Sequence, residues 1–230
     1  MLKVFLLTLF ILYMFSYSIN NSNNFIIKDD YHVIPFGHRC ASAIACKNAN
    51  LRNFSLPFDW GIPFFPSTIK KILENNFSDF TDFEYRSKTL VYNKTYKFGS
   101  GHYNTDHDVN VETFTRRINR FNDIIIQPKK IYFVYINEDY LYNENYRKDE
   151  FNNNTFNDML ELERFIKEKY INIDYNILYF NFKRHDIPTD SNIINIVLHT
   201  TNLYEESTAA PFKELRVYCG KILAELFNLS

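Results

Sequence analysis

The chain has 230 residues, 46% hydrophobic and 18% aromatic, enough to bury one sizeable core. Its formal net charge is -1, so no strong field of either sign directs it to nucleic acid or to an anionic membrane surface. Asn, Ile, Tyr, Phe and Lys dominate, and glycine is scarce, at 5 residues.

The first segment reads MLKVFLLTLFILYMFSYSIN. Lys3 supplies a positive start, Val4 to Phe15 is apolar, and Ser16-Tyr17-Ser18 offers a small-x-small cleavage site. Residues 1–18 therefore read as a secretory signal peptide, and the product as secreted or lumenal in the endoplasmic reticulum. The run is shorter than the roughly 20 apolar residues of a membrane span, so no stable span remains after removal. An uncleaved membrane anchor is the alternative. Cleavage leaves Ile19 or Asn20 at the new N-terminus, and residues 19–30 form a polar leader. A secretory route permits disulfides and glycans. Sequons begin at Asn20, Asn53, Asn76, Asn93, Asn153 and Asn228.

The expected domain spans residues 31–230. Its first strand runs from Tyr31 to Phe36, followed by a helix from about Cys40 to Leu51 with Ala41, Ile44 and Ala45 on its apolar side. The prolines of SLPFDWGIPFFPS interrupt regular structure, and Pro66 starts a helix through Ile69, Ile72 and Leu73. A short strand is expected at Thr89 to Tyr96, then the polar loop KFGSGHYNTDHD. Val111, Phe114, Ile118, Phe121 and Ile125 recur at helical spacing, with Arg116, Arg117 and Arg120 mostly off that stripe and Pro128 as the stop. Ile131 to Ile136 is a buried-strand pattern. A helix from about Thr155 to Tyr170, strands at Asn176 to Phe182 and Ile193 to Thr200, and a helix from about Pro211 to Phe227 complete the chain. Strands alternate with helices, which predicts a single α/β domain with a largely parallel sheet and helices on both faces. Sites in such sheets form beyond the carboxyl ends of the strands. Phe36-Gly37 closes the first strand, so the next residues, His38, Arg39 and Cys40, stand where chemistry is expected.

The blocks FGHRCASA and LRNFSLPFDWGI resemble a family of papain-like cysteine peptidases of unassigned function, whose pattern is Leu-Gly-Ser-x-Cys, a helix, then Ser-x-Pro-Phe-Asp-Trp. Gly37 and Cys40 match the first block, and Ser55, Pro57, Phe58, Asp59 and Trp60 the second. Tyr96 and His102 match a Tyr-x5-His segment, Arg116, Arg117, Ile118, Arg120 and Phe121 a helix motif, and Lys129 to Val134 a strand motif. His38 departs from the pattern, standing where the family usually carries Ser. A fainter likeness is to the GSCFA group of GDSL-like hydrolases, in which the Ser position would be the nucleophile. The resemblance implies a cysteine hydrolase acting on a peptide or another acyl substrate without a cofactor. A papain-like name also implies an α+β fold with separate helical and β lobes, the alternative to the α/β reading.

Cys40, at a predicted helix start, feels the positive end of the helix dipole, which favours thiolate. A nucleophile also needs a base and an orienting group. His102 is the expected base and His107 its rival, with Asp108 or Asp59 orienting the imidazole. Gly37 and His38 form the turn beside the expected oxyanion position. Asp59 has a structural alternative, as a turn cap. His102, Asp106, His107 and Asp108 could be grouped as metal ligands, but their spacing matches no strong zinc pattern, and no metal is expected. Three cysteines leave at least one thiol unpaired. A Cys46–Cys219 disulfide would keep Cys40 free, whereas Cys40–Cys219 would remove the nucleophile. The competing function is a non-catalytic secreted binding protein on the same fold, with a viral origin as one option.

Overall fold

The computed structural model describes residues 15–20, 27, 30–86, 90–100, 106–138, 156–200 and 210–229. In chain order these form β1 (Phe15–Asn20), β2 (Tyr31–Gly37), α1 (Ala41–Asn48), α2 (Pro66–Glu74), β3 (Phe83–Tyr85), β4 (Val91–Asn93), β5 (Gly99–Ser100), α3 (His107–Ile125), β6 (Lys130–Ile136), α4 (Phe156–Lys169), β7 (Tyr175–Asn181), β8 (Ile193–Thr200) and α5 (Ala210–Leu226). The main sheet has the order β1-β8-β7-β6-β2, and a small antiparallel sheet the order β3-β4-β5. β2, β6, β7 and β8 are parallel to their neighbours, and only β1, against β8, is antiparallel. This is the α/β architecture expected from the alternation, not the two-lobed α+β alternative.

The parallel strands read as apolar runs because both of their faces are covered. On one face α1 and α5 pack Ala41, Ala45, Cys46, Leu215, Cys219 and Leu223 against Tyr132, Val134 and Ile136 of β6. On the other face α2, α3 and α4 pack with the small sheet over Ile131, Phe133 and Tyr135. That second layer is rich in phenyl rings. Phe36, Phe58 and Phe121 meet edge to face or stacked, and Phe64, Phe80, Phe98 and Phe114 continue the cluster.

Four strands differ from expectation. The strand expected over Thr89 to Tyr96 is confined to β4, because the chain turns after Asn93, whose side-chain amide is buried. Its oxygen accepts the Tyr96 N–H and its nitrogen donates to the Asp79 and Phe80 carbonyls. Those bonds also make Asn93 unavailable as a glycan acceptor in the folded chain. The short strands β3 and β5 have too few residues to show periodicity. β1 lies across the expected cleavage point after Ser18, pairing Phe15 through Asn20 with Thr200 through Asn195. Among the described residues, no helix is long and apolar enough to cross a membrane.

Candidate functional site

The site is set up by the way two neighbouring strands end. β2 is an edge strand, which tolerates the missing N–H of Pro35, and its register shifts between Pro35 and Gly37. The extra residue bends the chain out of the sheet towards α1, on the α1/α5 face. The helix that follows β6 in the described chain, α4, lies on the opposite face. Adjacent parallel strands whose connections part to opposite faces leave a crevice at their carboxyl ends.

Hydrogen bonds tie the ends of the two strands to the segments that follow them. The His38 N–H donates to the Ile136 carbonyl at 3.3 Å, and the Phe64 N–H donates to the His38 carbonyl at 2.7 Å. The Ser42 hydroxyl donates to the Gly37 carbonyl and accepts the Ile136 N–H at 3.0 Å. Ser42 thus ties the first turn of α1 to the ends of both strands. Gly37 sits at φ 115°, and a Cβ there would lie 2.9 Å from the Phe64 carbonyl oxygen. Only glycine adopts that backbone without strain and leaves room for the Phe64 chain.

Cys40 immediately precedes α1, and its carbonyl accepts the Ile44 N–H at 2.9 Å. It is partly exposed, whereas Cys46 and Cys219 are fully buried. All three are free thiols. The expected Cys46–Cys219 bridge is therefore not formed, and neither is Cys40–Cys219. Cys46 and Cys219 instead pack as small apolar groups between α1 and α5. Burial pushes the Cys40 thiol upward. Arg216 is the strongest pull in the other direction, Glu138 adds an upward push, and Arg39 lowers it further.

Glu138 and Arg216 were missed by sequence reasoning. Glu138 stands two residues beyond β6 and is fully buried. Arg216 of α5 grips it in a fork, Nε to Oε1 at 2.7 Å and Nη2 to Oε2 at 2.9 Å. The only sequence signals are a carboxylate just past a buried strand and a cation beside an apolar helix stripe. Neither signal specifies that the two meet.

The other expected site residues separate. His38 is buried, stacked on Phe65 at 5.1 Å between ring centroids. Burial, with Arg39 beside it, pushes its imidazole down to about 3. It is neutral at physiological pH and supports the turn. Asp59 is buried and engaged by its turn. Its Oδ2 accepts Arg52 Nη2 at 2.6 Å, Arg52 Nε at 3.0 Å and the Leu56 N–H at 3.0 Å. Burial pushes the Cys46 thiol upward, and the charge of Asp59 adds to that push. Asp59 thus holds the turn, as its structural alternative has it, through Arg52 and the Leu56 N–H on Oδ2. His107 and Asp108 begin α3, with Nδ1 of His107 3.5 Å from Oδ1 of Asp108. Both are exposed. α3 ends just before β6 begins, so its N-terminus lies towards the carboxyl end of the sheet. His102 lies outside the described residues, in the segment between β5 and α3. A separate cleft of about 120 Å³, lined by Tyr31, His32, Asn50, Arg52, Asn53 and Phe54 among others, opens at the amino end of β2, away from Cys40.

A family model described as "Putative papain-like cysteine peptidase (DUF1796)" matches residues 31–185, from the start of β2 to just beyond β7. The chain belongs to this family. The match holds Gly37, Cys40, Asp59, His102, His107 and Glu138, while β1, β8 and α5 lie outside it. No curated protein and no solved structure matches the chain.

Proposed function

We propose that the protein is a cysteine hydrolase in which Cys40 attacks an acyl carbonyl. A histidine of the segment leading into α3, His102 or His107, takes the thiol proton and returns it to the leaving group. The observation that carries this reading is the position of Cys40. It is the one partly exposed thiol of the chain, at a helix start, three residues beyond the carboxyl end of β2, where sites form in such sheets. The family description points the same way. Asp108, already beside His107, is suited to orient that imidazole. A peptide or another acyl compound is the proposed substrate.

The upward push on the Cys40 thiol favours a second reading, a binding protein on the same fold that makes no use of a thiolate. Labelling with a thiol-directed electrophile separates the two. The hydrolase reading expects rapid labelling at neutral pH that Cys40→Ala abolishes, and that His102→Ala or His107→Ala slows by about tenfold or more, as loss of a general base does. Labelling at the rate of a free thiol, indifferent to both histidines, sinks it.

A further inference from the structure

We infer that the buried Glu138–Arg216 pair is the electrostatic partner of Cys40, with Arg216 as the positioning residue that stabilises the thiolate. This rests on the cysteine hydrolase reading for its purpose, but the geometry stands by itself. α1 and α5 both follow parallel strands and lie on the same face, so they run in the same direction. Gly220 fixes their register: a Cβ there would lie 2.8 Å from the Asn48 Cβ and 3.1 Å from the Ala45 carbonyl oxygen. Arg216 is four residues earlier in α5, about 6 Å back along the axis. That step returns it from the level of Ala45 and Asn48 to the start of α1, where Cys40 is. From the other side, Ile136 is bonded to Ser42 in the first turn of α1, and Glu138 follows two residues later. The three side chains therefore converge from β2–α1, from the end of β6 and from α5.

A carboxylate this buried needs its cation, because an unpaired buried charge is costly. The fork to Glu138 in turn fixes a guanidinium beside the thiol, in largely buried surroundings where its charge is screened less than that of an exposed lysine. The two partners act on Cys40 with opposite sign. Arg216 favours the thiolate and Glu138 opposes it.

That opposition gives the test. The full chain is alkylated with iodoacetamide across a pH series, with modification at Cys40 read by mass spectrometry. Cys46 and Cys219 are buried and serve as internal controls. Arg216→Gln should raise the midpoint of the Cys40 rate profile by about one pH unit, lowering the rate at neutral pH about tenfold. Arg216→Lys should recover most of that loss. Glu138→Gln should move the midpoint the other way and speed alkylation. General loosening of the fold would instead expose the thiol alike in all three and uncover Cys46 and Cys219, which counts against the inference. Equal midpoints in all variants also overturn it. Because the readout is thiol ionisation, it is independent of hydrolysis. A normal Arg216 effect with labelling indifferent to His102 and His107 sinks the hydrolase reading alone.

Discussion

At the scale of single residues, the position that departs from the family pattern has the clearest physical signature. His38 occupies the usual Ser position, is buried against Phe65, and has its imidazole pushed down to about 3 by burial and by Arg39. In the unfolded chain the same imidazole titrates near 6.5. Below that value the unfolded state binds a proton that the folded state refuses, so stability falls as pH drops from about 6.5 towards 3. Above 6.5 the group is neutral in both states and contributes no slope. Urea denaturation of the wild type and of His38→Ser at pH 7, 6, 5 and 4 checks this. The wild type should lose stability more steeply over that series, and parallel losses would show that other groups govern it. The same residue explains why site chemistry is hard to read from sequence. A histidine two positions from a cysteine is an obvious base on paper, yet the bulge at the end of β2 turns it into the core.

At the scale of elements, the SLPFDW turn is held by its polar residues. Asp59 organises it through Arg52 and the Leu56 N–H, and Arg52 also donates to the Ser55 hydroxyl at 2.7 Å. Phe58 is thereby held in the phenyl cluster between Phe36, Phe64 and Phe121. Burying one aromatic ring of this kind contributes about 2 to 3 kcal/mol. Removing one partner of a buried ion pair costs more than the pair itself contributes, because the other charge is left behind. Asp59→Ala should therefore destabilise the fold by about 3 kcal/mol, read as a lower denaturation midpoint. It should leave the pH profile of Cys40 alkylation unchanged in the molecules that remain folded. A shifted thiol profile with little loss of stability would place Asp59 in the catalytic group instead.

At the scale of the whole molecule, most of the fold was legible because its signals are periodic. The stripe through Phe114, Phe121 and Ile125 and the run from Ile131 to Ile136 each extend over several residues, and both formed where expected. What was not legible depends on register between distant segments. Glu138 and Arg216 are 78 residues apart, and neither sits in a motif. Cys46 and Cys219 suggested a bridge, but α1 and α5 set them side by side as unbonded thiols. β1 was hidden for another reason. Its residues straddle the end of the apolar run, the expected cleavage site and the start of the polar leader, and only β8 gives them a strand's role. Along that edge the Tyr17 hydroxyl donates to Glu225 at 3.1 Å, Ser18 pairs with His199 at 3.0 Å, and the Asn20 amide donates to the His185 carbonyl at 2.9 Å. Tyr17 and Ile19 also pack against the α1/α5 core. Removing residues through Ser18 would delete most of this strand and leave β8 with an unpaired edge, which invites association with other chains. A chain beginning at Ile19 should therefore melt several degrees below one beginning at Phe15, as expected for a loss of about 1 to 2 kcal/mol in a domain of this size. It should also self-associate more readily in sedimentation at equal concentration. Equal melting temperatures and equal sedimentation would show that β1 contributes nothing to the folded domain, which then begins at β2.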